Sequence, residues 1–136
     1  ILIVRGLPNE NKDLKIDNES IKIVNHLSAN ELNKAFQQSE IVISRSGYTT
    51  IMDLVKLTKN AVLVPTPGQT EQEYLSTYLM KKNFFYSVEQ NKFSINTAYS
   101  NASVFQFINV PTCMNNYKKV INEFVLSLKS GNFETQ

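Results

Sequence analysis

The sequence has no tryptophan, one cysteine, one histidine, four glycines and four prolines in 136 residues. A lone Cys113 excludes an internal disulfide and any cysteine-based metal cluster. With His26 as the only histidine, nothing points to a metal, and no metal or other cofactor is expected. No apolar run approaches the ~20 residues of a membrane-spanning helix. Fourteen basic and twelve acidic side chains leave a net charge of +2. The lysines are scattered rather than gathered into a stripe, so nucleic acid is not an expected partner. A reducing cytoplasm is the expected setting, with any contact at the inner face of a membrane made through a part beyond this stretch. The chain opens inside a strand pattern, ILIVR, without a leader pattern, and is expected to be cut from something longer at that end.

What is present is a 42% hydrophobic chain with alternating strand and helix signals, enough for one domain with a real core. Ile1 to Arg5 reads as a buried strand and Ser20 to Leu27 as a second. Ser28 and Glu31 fit a capping box that opens a helix through about Gln38, with Leu32, Ala35 and Phe36 at core spacing. A strand at Ile41 to Ile43 leads into a helix from Tyr48, whose Ile51, Leu54 and Val55 share a face. Ala61 to Val64 is a strand ending at Pro65, and Thr70 with Glu73 suggests a capped helix reaching about Lys82. Phe84 to Val88 predicts a strand, Ser94 to about Val104 a helix, and Cys113 to Lys129 a last helix. The tyrosines and phenylalanines at helical spacing are expected in the core. Residues 1–129 form the predicted domain and residues 130–136 a disordered tail. The alternation predicts an α/β fold, a parallel sheet with helices on both faces. Its ligand would lie at the carboxyl ends of the strands, where the loops Asn25–Ser28, Ser44–Thr50 and Pro65–Thr70 meet.

The sequence is organised around IVISRSGYTTIMDLVKL, Ile41 to Leu57. A strand, a turn carrying Gly47 and a hydroxyl-rich helix start form a junction suited to a phosphate or diphosphate. Glycine admits close approach, and the first helical turn offers unpaired N–H groups with partial positive charge.

The segments SRSGYTTIMDL and AVLVPTPGQTEQEYL resemble the carboxyl-terminal half of family 28 glycosyltransferases, the group that includes the bacterial enzyme making lipid II. The resemblance rests on Arg45, Ser46 and Gly47, Asp53 six positions after the glycine, Val64-Pro65, and Gln72-Glu73-Tyr74, and covers roughly Lys22 to Phe85. It implies a Rossmann-like domain, the carboxyl-terminal half of a GT-B fold, that binds a nucleotide-sugar donor with UDP as the expected nucleotide. Gly47 and the amides of Tyr48 and Thr49 would hold the diphosphate, helped by the hydroxyls of Ser46, Thr49 or Thr50. Asp53 would take the ribose hydroxyls, Gln72 and Glu73 the sugar, and His26 and Leu27 the base. An inverting displacement is implied, with the catalytic base and acceptor cleft on a missing amino-terminal domain, in cis or on a partner polypeptide.

Departures from the family pattern bear on the donor. Asp53 is one methylene shorter than the family's Glu, Tyr48 replaces a small residue, and Glu73 stands where a Gln is common. A carboxylate only accepts hydrogen bonds, so the sugar could differ from N-acetylglucosamine. Each position also has a structural alternative. Asp53 could cap its helix with Thr50, and Glu73 could do so with Thr70. His26 could be an ordinary surface residue, Arg45 a turn anchor and Cys113 a packing residue; Gln72 has no capping duty. The alternative to a donor domain is a non-catalytic nucleotide-sugar or partner-binding module that needs a second polypeptide.

Overall fold

The computed structural model describes residues 1–10, 12, 14, 16–111, 122 and 126. In chain order the elements are β1 (Leu2–Val4), β2 (Lys22–Val24), α1 (Ala29–Gln38), β3 (Val42–Ser44), α2 (Tyr48–Lys56), β4 (Ala61–Leu63), α3 (Thr70–Lys81), β5 (Tyr86–Ser87) and α4 (Ile95–Val104), with a 3-10 turn at Gln90–Lys92. The helix expected over 113–129 and the tail over 130–136 lie outside the described residues, apart from Asn122 and Leu126. Every strand pair is parallel, and the fold is α/β.

β4 is the centre. Its residues Ala61, Val62 and Leu63 are wholly buried because both faces of the strand are covered. Ala61 and Leu63 join Val42, Ile51 and Leu54 of α2, Leu79 of α3, and Phe85 on one face. Val62 and Val64 meet Ala98 and Ala102 of α4 on the other. Helices therefore flank the sheet on both sides, as the apolar runs predict.

Both α2 and α3 end in the same device. Thr58 and Asn83 take left-handed backbone (φ 52° and 57°). Thr58 N–H donates to Val55 O and Lys59 N–H to Leu54 O, and Asn83 and Phe84 repeat the pattern on Met80 and Leu79. These are Schellman stops, which satisfy the last carbonyls. α1 ends differently: the ammonium of Lys59 reaches across to Gln37 O at 2.7 Å and Ser39 O at 3.0 Å.

The structure corrects several expectations. The strands form two sheets, β1-β2 and β3-β4-β5, rather than one. β1 is not buried: Ile1 to Val4 are 38–69% exposed, because β2 covers one edge only and nothing described covers the faces. The Ser28–Glu31 capping box forms, with Ser28 N–H donating to the Glu31 carboxylate at 2.8 Å and Glu31 N–H to Ser28 Oγ at 3.4 Å. The other two do not. Gly47 holds the N-cap position of α2, which puts Thr50 three residues inside the helix, and Gln69 holds that of α3, which makes Thr70 its first residue; neither helix has a side-chain cap bond. Tyr74 and Tyr78 are not core either: they stack on each other in solvent, centroids 6.0 Å apart, while Leu75, Ser76 and Leu79 take the inward face.

Candidate functional site

At the carboxyl end of β3 the chain turns through Arg45, Ser46 and Gly47 into α2. Gly47 has extended backbone (φ −72°, ψ 142°), and no side chain caps the helix among the described residues. The first turn of α2 carries no acidic residue. A Cβ placed on Gly47 would meet no described atom within 4 Å, so the space over this helix start is open. Tyr48 and Thr49 are exposed and Thr50 half-buried around it. Their N–H groups belong to the first turn, whose donors have no intrahelical acceptor. Asp53 is exposed, four residues beyond Thr49 on the same side of the helix. At ~1.5 Å rise per residue it stands roughly 9 Å along the axis from Gly47.

The side chains beneath this opening are fastened to the next loop. Ser46 is fully buried, and its hydroxyl donates to Gln72 O at 2.9 Å. That commitment makes it a tether between the turn and α3 rather than a side chain facing the opening. Arg45 donates to Val64 O at 3.2 Å and Pro65 O at 3.3 Å, and so anchors the turn as one sequence alternative held. Gln72 has a structural duty that the sequence does not announce. Its Oε1 accepts from Thr66 N–H at 3.0 Å, and its amide donates to Gln69 Oε1. Glu73 braces the same loop, its carboxylate accepting from Gly68 N–H at 2.9 Å.

The loop itself is a type II turn. Gln69 N–H donates to Thr66 O at 3.1 Å, Pro67 occupies the second position and Gly68 the third with φ +81°. The Pro-Gly pair is the sequence signal for this role. One hydroxyl in this corner, Ser44 Oγ at the end of β3, is buried with no hydrogen-bond partner among the described residues. On the other flank of α3, a groove of about 890 Å³ runs past Glu73, Ser76 and Met80 to Tyr86 and Glu89. This groove adjoins the loop at Pro65, Pro67 and Glu73 but does not include Gly47.

The structure therefore joins Ser46, Gly47, Gln72 and Glu73 through bonded neighbours, with Tyr48, Thr49, Thr50 and Asp53 rising along one helix. His26 and Leu27 follow β2 in the other sheet, the first exposed and the second half-buried. Their loop is held by Asn25, which accepts from Arg5 at 2.7 Å and donates to Glu10 O at 2.9 Å. No group of three or more His, Cys, Asp or Glu suited to a metal occurs among the described residues, and no described helix is long and apolar enough to cross a membrane.

Parallel strands with helices on both faces define a Rossmann-like α/β domain. The chain belongs to the glycosyltransferase family 28 C-terminal domain, whose family model matches residues 3–109. It is thus a sugar-donor-binding module of the glycosyltransferase type, for which a nucleotide-sugar donor and an acceptor are implied in general terms. No curated protein and no solved structure matches the chain.

Proposed function

We propose that this chain is the donor-binding domain of a hexosyltransferase that uses a nucleoside diphosphate sugar, with UDP as the nucleotide. The observation that carries the reading is the open, uncapped start of α2 over Gly47 in a family 28 domain. The diphosphate lies against the amides of Tyr48 and Thr49, with the Thr49 and Thr50 hydroxyls beside it. Asp53 accepts from the ribose hydroxyls one to two turns further on. Glu73 offers its carboxylate to the transferred sugar, Gln72 shapes the loop that presents it, and His26 with Leu27 contact the base. An acceptor oxygen attacks the anomeric carbon as the bond to the phosphate oxygen breaks. The partial positive charge at the start of α2 stabilises the charge gathering on the departing UDP.

The base that deprotonates the acceptor, and the cleft that binds it, lie outside this domain, so the isolated chain binds donor weakly and transfers nothing. Amide NMR during titration with UDP and UDP-sugars tests the reading. Shifts clustered at Gly47 to Thr50, Asp53 and Glu73 are expected. A saturating titration that leaves those amides in place would refute it.

A further inference from the structure

Helix α3 carries two large side chains that the core does not use. Tyr74 and Tyr78 are 66% and 44% exposed, and their rings stack on each other, 16° from parallel. The residues that continue their face are charged. Glu71 precedes Tyr74 by three positions and Lys82 follows Tyr78 by four, so the four side chains form one exposed stripe. At ~1.5 Å rise per residue the stripe is roughly 16 Å long, acidic at one end, aromatic in the middle and basic at the other.

Neither end charge is engaged within the domain. Glu71 has Tyr74 and Leu75 three and four positions ahead of it, and Lys82 has Leu79 and Tyr78 three and four behind, so neither has a helical ion-pair partner. The ion pair found among the described residues, Lys92 with Glu89, involves neither of them.

The stripe is symmetrical about the middle of the helix, near Ser76. Turned end over end by a two-fold axis, it meets itself. Glu71 then falls opposite the partner's Lys82, Lys82 opposite the partner's Glu71, and Tyr74 opposite the partner's Tyr78. This is the isologous relation of a two-fold interface, residue i to j and j to i. A surface of one charge sign, such as an anionic membrane, would match one end of the stripe and oppose the other. Tyrosine suits the centre of such a contact, since its ring buries apolar area while its hydroxyl stays wet.

We propose that α3 is a self-association face. Two copies of this chain pair antiparallel along it, four tyrosine rings form the centre, and two Glu71–Lys82 ion pairs close the ends. The proposal is independent of the donor reading. A single pair of helices is a contact at the small end of the interface range, so the dimer is weak and gathers at high concentration.

Sedimentation velocity on the chain at low salt, from about 10 µM to about 1 mM, tests it. A monomer–dimer equilibrium within that range is expected. Tyr74→Ser combined with Tyr78→Ser should weaken it at least about tenfold, and because both side chains are exposed the core is left intact. Glu71→Lys and Lys82→Glu, each alone, set like charges together at both ends and should weaken it roughly threefold or more. An equimolar mixture of those two variants should regain association, because each end of the mixed dimer again joins opposite charges. Amide spectra of every variant check that the fold is retained. Association that survives loss of both tyrosines, single charge variants that associate like the parent, or a mixture no more associated than its components would overturn the proposal. So would a chain that stays monomeric to about 1 mM; if it then cosediments with anionic phospholipid vesicles, the stripe belongs to a membrane contact instead.

Discussion

Replacing Gly47 by valine separates the two duties a glycine can have at this turn. Its backbone lies in the extended region, which valine favours, and the added side chain meets no described atom within 4 Å. Restricting the unfolded chain at a compatible position stabilises by about 0.4–1 kcal/mol. Against this, glycine is a better helix cap than an apolar residue, at a difference of roughly 0.5–1 kcal/mol. The two effects nearly cancel, so stability should change by less than about 1 kcal/mol. The isopropyl group, however, fills the opening proposed for the diphosphate. UDP affinity should fall at least about tenfold, some 1.4 kcal/mol. Urea denaturation measures the first quantity and amide-detected UDP titration the second. A loss of more than about 2 kcal/mol of stability would show that the glycine serves the fold. A stable variant with unaltered UDP affinity would place the diphosphate elsewhere.

Three further outcomes are expected. Thr58→Gly relieves a β-branched residue from left-handed backbone (φ 52°) and should raise stability by about 1 kcal/mol in denaturant titration. Leu54→Ala empties a fully buried position between α2 and the sheet and should cost about 2–5 kcal/mol, read as a lowered thermal midpoint. Glu31 titrates below the usual carboxylate range because it accepts first from the Ser28 hydroxyl and then from the Ser28 backbone N–H. The sign follows from a depressed folded value: this contribution is present above the unfolded carboxylate pKa and disappears as pH falls through the folded one. Side-chain NMR should show Ser28→Ala returning the Glu31 midpoint upward.

What the sequence discloses of this domain depends on how local the deciding interaction is. Ser28 and Glu31 are three residues apart and satisfy each other, so that helix start is readable directly. Thr50–Asp53 and Thr70–Glu73 have the same spacing, but the helices begin at Gly47 and Gln69, which shifts each pair off the cap. Along α3, Tyr74–Tyr78 and Leu75–Leu79 are two apolar stripes with identical i, i+4 spacing, about 100° apart around the axis. Spacing cannot choose between them. Packing against the sheet does, and it selects the stripe beside the small Ser76. The apolar run at Ile1 to Val4 likewise states a need for cover without showing the cover. The corner at Gly47 was visible in the residue types, but the ties from Ser46 to Gln72 O and from Gln72 to Thr66 involve main-chain atoms, which every sequence has.

Those ties give the corner a mechanical character. Arg45 grips the end of β4, Ser46 grips α3, and Gln72 and Glu73 grip the turn in between. In the binding mode proposed above, a ligand at the start of α2 would therefore be coupled to the Pro67-Gly68 turn. The stiffness is installed during folding, so little ordering is left for the moment of encounter. On that proposal, adjustment to differently sized ligands would fall to the exposed side chains, Tyr48 and Asp53 foremost, while the main chain holds still.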